Sequence, residues 1–455
     1  MKALTRSLLA LASVAVAAGP VRAASETPGV SGRIDSLFAA TAGRPLPGAA
    51  VLVLRDGAVV HSKAYGLASV EAGTPNTPRT RFRLASVSKS FTALLVLQLV
   101  EQGRLRLDDP LEAFVPGVVG GDRMTIRHLL SHTAGMPDFM RFEDAAKLPR
   151  ESAPGERLNY SNLGYSALGR VIEKVTGRSY EAQLREAILA PLGMKDSGCD
   201  RREAPPADRA VGYLFDPAGG VKVAEYTDSG SDFAAGGLFS TTEDMALWVK
   251  GLLGGRIVSP ATLEKAWTPV TLDGGRKGAY GYGFMLVPYR GLREVGHGGD
   301  ISGFNSYVAF YPSEKLAVVV LSNVGMRPPG PLPDAGAIAH QVVEILAADR
   351  LGPQWPPEVV VAPRSLDAYA GRYRLEAPAP IAAVMGDVVE IRREGTRLLA
   401  RGKQGEAEIF PESQTEFFSK AGPVRISFVP GRDGSPSRAV LTLMGLREFR
   451  LTRLP

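Results

Sequence analysis

Ser86 and Lys89, in the run Ser86-Val87-Ser88-Lys89, are the residue types in this chain best suited to covalent chemistry. They stand at the mouth of an apolar stretch, Phe91 to Val100, that reads as a buried helix. A serine three residues before a lysine shares its helix face, with Cβ atoms about 5–6 Å apart. An amine is then within reach of a hydroxyl proton, the pairing of nucleophile and base that acyl transfer uses. Two later stretches add to it. Asn159-Tyr160-Ser161-Asn162 lies just before a helical pattern, with Tyr160 in a loop and Asn162 at the helix entry. A phenol so placed can shuttle protons if its neighbours lower its pKa of about 10. Gly296-His297-Gly298-Gly299 runs into Asp300. Glycines around a histidine permit close backbone approach and expose N–H groups to an oxyanion.

The elements that must position these groups follow from periodicity. Ala49 to Gly66 alternates around Arg55-Asp56-Gly57 and predicts a β-hairpin with an Asp-Gly turn. Helical patterning with polar breaks fills Met124 to about Arg209, and Asn162 to Thr176 is its clearest helix, stopped by Gly177. Ser240-Thr241-Thr242-Glu243 resembles a capping box opening a helix that runs to Leu253. Strands are expected at Tyr280–Val287, Ser306–Tyr311 and Leu316–Leu321, the last a central strand buried on both faces, and a closing helix at Ala337–Asp349. Gly352, Pro353, Pro356, Pro357 and Pro363 then mark a linker. Beyond it, Val388–Arg392, Glu406–Phe410, Val424–Phe428, Ala439–Met444 and Glu448–Leu454 alternate with period two, the pattern of a small antiparallel barrel or sandwich.

Bulk properties narrow the function classes. Lys2 and Arg6, the apolar Leu8–Ala18, the break at Gly19-Pro20 and the small residues of Val21-Arg22-Ala23 predict a signal peptide over residues 1–23 and a mature start at Ala24. Its apolar run is too short to span a bilayer, and no cysteine follows it to carry a lipid anchor. The expectation is an exported, unanchored protein, periplasmic or secreted. Removing Lys2, Arg6 and Arg22 lowers the formal charge of +6 to +3, and the remaining basic residues form no block, so nucleic acid is not an expected partner. Cys199 is the single cysteine, which excludes an intramolecular disulfide. The five histidines are scattered and H-E-x-x-H is absent, so no metal or other cofactor is expected.

Ser86-x-x-Lys89, Tyr160-x-Asn162 and His297-x-Gly299 fall in the order of the three active-site elements of serine β-lactamase-related hydrolases, and the chain resembles that family. The family includes class C β-lactamases, DD-peptidases, D-aminopeptidases and esterases. Leu129-Leu-Ser-His-Thr-Ala-Gly135, Pro154-Gly-Glu-Arg157, Pro191-Leu-Gly-Met194 and Gly236-Gly-Leu-Phe-Ser-Thr241 support the resemblance, which covers about residues 30 to 345. The segment opening Leu366-Asp-Ala-Tyr-Ala-Gly-Arg-Tyr373 resembles the lipocalin-like β-domain appended to some members.

The resemblance implies an α/β (α+β) fold: an antiparallel sheet flanked by helices, with a helical insertion at about 120–230, over residues 24–351. A linker at 352–364 and a β-barrel at 365–455 would follow. It also implies that Ser86 is acylated, that Lys89 or Tyr160 accepts its proton, and that Asn162 orients Lys89 and the substrate amide. The oxyanion would rest between the N–H groups of Ser86 and Asp300, beside His297, Gly298 and Gly299. Many β-lactamases and DD-peptidases carry Lys-Thr-Gly where this chain has His297-Gly298-Gly299. A mostly neutral imidazole and a missing hydroxyl favour small-molecule esters, amides or D-amino-acid peptides over β-lactams. A D-amino-acid peptidase, a class C-type β-lactamase and a slow-acylating penicillin-binding or sensor module are the alternatives.

Overall fold

The structure, a computed structural model, describes residues 29–138, 147–202, 208–216, 219–226, 233–325, 330–431 and 436–455. The expected signal peptide lies outside the described residues. Among them, no helix is long and apolar enough to cross a membrane.

Alternation decides the main sheet. Strands β1 (Ala49–Arg55) and β2 (Ala58–Tyr65) form the expected hairpin, with Asp56 and Gly57 both at positive φ in its turn. Helix α1 (Ser88–Glu101) and helix α2 (Asn162–Thr176) follow. Strands β3 (Val295–Ile301), β4 (Phe304–Tyr311) and β5 (Leu316–Ser322) then complete an antiparallel sheet of order β3-β4-β5-β1-β2, with β3 at the edge. Every residue of β5 is buried, as its β-branched run requires of a central strand covered on both faces. Ala49, Val51 and Val53 pack on one face with Ile34 of the N-terminal helix Val30–Ser36 and with Ile338 and Val342 of helix α3 (Ala335–Leu346). Ala50, Leu52 and Leu54 point to the other face, into the core shared by Leu94, Leu95 and Trp248. At about 1.5–3 kcal/mol per large apolar side chain, these two layers supply most of the drive to fold.

Helix α1 lies inside this second layer. Ser88 to Leu97 are all buried, so it has no polar face to turn to solvent, which is the state expected of a helix apolar all round. Helix α2 begins after Ser161, whose Oγ accepts from Gly164 N, and ends at Gly177 with φ 70°. The closing helix begins two residues earlier than its periodicity suggests, because Asp334 caps it through Ala337 N.

One expected strand is absent. Tyr280–Val287 is a tight loop: Gly281 N–H donates to Phe284 O, and Gly283 sits at φ 82°. Among the described residues of this loop, Met285 alone pairs with the sheet through its backbone, exchanging hydrogen bonds with Gly296.

After the proline-rich stretch the chain forms a closed antiparallel barrel. Its eight strands, in order around the barrel, are β6 (Gly371–Glu376), β7 (Val388–Glu394), β8 (Arg397–Gly402), β9 (Gly405–Pro411), β10 (Glu416–Ser419), β11 (Val424–Pro430), β12 (Pro436–Leu443) and β13 (Arg447–Arg453). Tyr373, Ile391, Leu398, Ile426, Leu441 and Leu451 fill its interior. Closure leaves no strand edge among them.

Candidate active site

Ser86 does not sit in α1 itself but in the 3-10 turn Ala85–Val87 that leads into it. Ala85, directly before it, has φ 47°, a region that side chains with a Cβ rarely occupy. The turn is pinned on both sides. Leu84 N donates to Leu238 O at 2.8 Å, and Ser306 Oγ donates to Leu84 O at 2.6 Å. Strained backbone held by its surroundings presents the Ser86 hydroxyl, which remains partly accessible.

Lys89 lies in the first turn of α1, fully buried. Its Nζ is 3.1 Å from Ser86 Oγ, 2.6 Å from Asn162 Oδ1 and 2.6 Å from Ala235 O in the short helix Phe233–Gly236. The rings of Tyr160 and Tyr165 face it at 4.9 and 5.6 Å. Among the described residues no carboxylate touches it. Burial therefore dominates, and lowers its pKa to about 7 against a smaller opposing pull from Asp138.

Tyr160 is hydrogen-bonded to Ser86, yet burial outweighs that bond and raises its phenol well above the ordinary value. Asn162 is the first residue of α2. Its backbone N–H and its Nδ2 both donate to Asp138 Oδ1, at 3.0 and 3.1 Å, which leaves Oδ1 of the amide facing Lys89. Asp138 thus fixes which way the Asn162 amide points.

The glycine-rich motif is part of edge strand β3 rather than a turn before a strand. A Cβ on Gly299 would fall 2.3 Å from Leu84 O and 2.9 Å from Ser86 N, so only glycine lets β3 pass the Ser86 turn this closely. Asn305 Nδ2 holds Gly299 O at 2.9 Å, and Asp300 is exposed beyond it. His297 is buried, with Nε2 2.8 Å from the Tyr280 hydroxyl and Nδ1 2.6 Å from Gly298 O. Burial, and then the charge of Lys89, push its pKa down to about 3. It is a neutral ring at pH 7.

Residues that carried no role in the sequence complete the site. His132 packs under Tyr160 with ring centroids 4.1 Å apart and also touches Tyr165 and Tyr280. Its Nδ1 accepts from Ser161 N at 3.1 Å, which places its proton on Nε2, and burial holds it well below the usual histidine range. It belongs to the Leu129–Gly135 segment, so a signal existed. Asp138 and the Ala235 carbonyl had none beyond lying near quoted segments. Cys199 is buried, and burial raises its thiol, so it is not a nucleophile.

Comparison with known proteins adds relatives of the chain. Residues 34–342 match the family described as Beta-lactamase. Penicillin-binding protein 4* of Bacillus subtilis (strain 168) is 27% identical over 430 residues, covering 85% of this chain and 91% of that protein. The octameric penicillin-binding protein homologue from Pyrococcus abyssi superposes with a TM-score of 0.62 at 28% identity, over 92% of this chain and 99% of that one. D-amino acid amidase from Ochrobactrum anthropi SV3, complexed with L-phenylalanine amide, gives 0.61 at 26% identity over 70% of this chain and 98% of that one.

Proposed function

Because the chain belongs to the Beta-lactamase family, whose members include serine hydrolases, we propose that it hydrolyses amides and esters through an acyl-enzyme on Ser86, with Lys89 as the base. One observation carries this reading. A neutral amine has two hydrogens and one lone pair, and Lys89 Nζ has two carbonyl oxygens at 2.6 Å and one hydroxyl at 3.1 Å. The two oxygens take the hydrogens, and the lone pair faces Ser86. A pKa of about 7 leaves roughly half of the amine free at neutral pH, against about one part in 3,000 at the ordinary value.

The steps follow. Lys89 takes the Ser86 proton as Oγ bonds to the substrate carbonyl carbon. The oxyanion is received by the N–H groups of Ser86 and Asp300, where Gly299 lets strand and turn approach. Tyr160, whose raised pKa keeps it protonated, passes a proton from Lys89 to the departing amine or alkoxide. A water then loses its proton along the same route, attacks the acyl carbon and frees Ser86.

The D-amino acid amidase relative favours D-amino acid amides and short D-terminated peptides as the first substrate class, with simple esters beside them. His297, neutral and engaged with Tyr280, offers no cation to a β-lactam carboxylate, which speaks for those substrates over penicillins. Export through residues 1–23 belongs to the same proposal, and N-terminal sequencing of the protein from a periplasmic extract or culture medium should begin at Ala24. Hydrolysis of p-nitrophenyl butyrate and of D-phenylalanine amide, by wild type and Ser86→Ala, tests the chemistry. Turnover of either should fall by about 10⁴-fold or more in the variant. Equal rates would remove Ser86 from the reaction.

A further inference from the structure

The barrel reaches into the site just described. The turn Met444-Gly445-Leu446 joins β12 to β13 and lies against the loop that carries Tyr160. Leu446 O accepts from Tyr160 N at 3.3 Å, Glu448 N donates to Leu158 O at 3.1 Å, and Asn159 bridges Arg447 in antiparallel fashion. The start of β13 therefore pairs with residues 158–160 through one isolated antiparallel bridge. Flanking pairs hold the seam: Arg276 grips Glu448 with both nitrogens at 2.9 and 2.8 Å, and Arg450 meets Glu156 at 2.9 Å.

Arg447 goes further in. Its Nη2 lies 3.3 Å from Glu151 and its Nη1 3.8 Å from Asp138 Oδ2. The Asp138 side chain is only 4% exposed, and its other oxygen holds Asn162. One carboxylate thus joins a barrel arginine to the amide that orients Lys89. Resting on the acyl-transfer reading above, we propose that Arg447 is a positioning residue of the Ser86 centre, supplied by the C-terminal barrel, which holds Asp138 against Asn162 and so sets the Lys89 amine.

The geometry has an electrostatic consequence. The groups around Lys89 are Asp138 before α2, Tyr160 and Tyr165, His132, Tyr280 and His297, with Arg447 behind Asp138 and Glu151 behind Arg447. Among the described residues Asp138 is the carboxylate that favours the charged amine. Arg447 offsets it. Without Arg447, Lys89 stays protonated to higher pH and the acid limb of the reaction moves up.

The test is the pH dependence of Ser86 labelling by a fluorophosphonate, in which Oγ bonds to phosphorus, fluoride leaves and Lys89 takes the proton. Arg447→Met should move the acid limb up by about one pH unit and slow labelling at pH 7 about fivefold. Arg447→Lys, which keeps the charge, should restore the limb. Arg450→Met, which cuts the same seam away from Asp138, should leave the limb in place. Should Arg447→Met fold poorly by thermal melt, Asp138→Asn should move the limb the other way, to lower pH. An unmoved limb in Arg447→Met with Ser86 still labelled overturns this proposal alone, and so does an equal shift in Arg450→Met. Wild-type labelling that does not depend on Ser86 overturns the acyl-transfer reading and this proposal with it.

Discussion

Asp200 and Lys89 are both fully buried charged residues, and their surroundings differ in kind. Asp200 forms an ion pair with Arg83 at 2.8 Å and accepts from the Tyr226 hydroxyl at 3.0 Å on one oxygen, and it accepts from Arg209 at 2.6 Å on the other. The network joins the strand Phe82–Arg83 to Asp200, Arg209 and Tyr226 and holds the chain just ahead of the Ser86 turn. Among the described residues Lys89 meets only neutral oxygens, and Asp138, the carboxylate that acts on it, stands behind Asn162. Burial with a partner keeps a charge and builds structure. Burial without one weakens the hold on the proton, which suits the base proposed above. A shift from 10.5 to about 7 corresponds to about 5 kcal/mol of unfavourable charging, so the fold gives up stability to keep a reactive amine.

The contrast can be broken from either side. Lys89→Arg puts a permanent charge where the base stood, because a guanidinium does not lose its proton in this range. Single-turnover release of p-nitrophenol should slow about 10³-fold. Asp200→Ala takes the buried carboxylate away from Arg83 and Arg209, and chemical denaturation should show a loss of about 3–5 kcal/mol. The acid limb of its remaining activity should not move, since Asp200 does not face Lys89. The smallest effect is the most discriminating. Lys89→Met, though inactive, should be more stable than wild type by about 1–2 kcal/mol at pH 6, the relief of charging less the cost of two orphaned carbonyl oxygens. The sign follows from linkage: the folded pKa lies below the unfolded one, so the penalty is fully present below about pH 7 and fades as pH rises toward 10.5. The gain should therefore disappear in melts at pH 10.

What the sequence made legible was local. Ser86 and Lys89 lie within one turn, Tyr160 and Asn162 within one loop, and His297 to Asp300 in one strand, so their residue types and spacing could be read together. The hairpin at Asp56-Gly57, the helix Asn162–Thr176 and the fully buried strand Leu316–Ser322 were readable for the same reason, since each pattern repeats along a short run. What escaped depends on approach in space. Tyr280–Val287 alternates like a strand, but Gly281 and Gly283 turn it back so that Tyr280 meets His297. Asp138 matters through one amide it orients, and Arg447 through a carboxylate held by another part of the chain. Neither relation leaves a spacing to find. Ser86 itself was placed on the helix, whereas the positive φ of Ala85 sets it one turn earlier, in a strained bend.

The central claim is that Lys89 loses its proton near neutral pH, and the rate of Ser86 acylation against pH tests it most directly. Single-turnover release of p-nitrophenol from p-nitrophenyl butyrate, followed from pH 5 to pH 10, should rise with a single proton's slope and a midpoint near 7. A rate still climbing steeply at pH 10, as an ordinary lysine would give, would contradict it, and so would a flat profile.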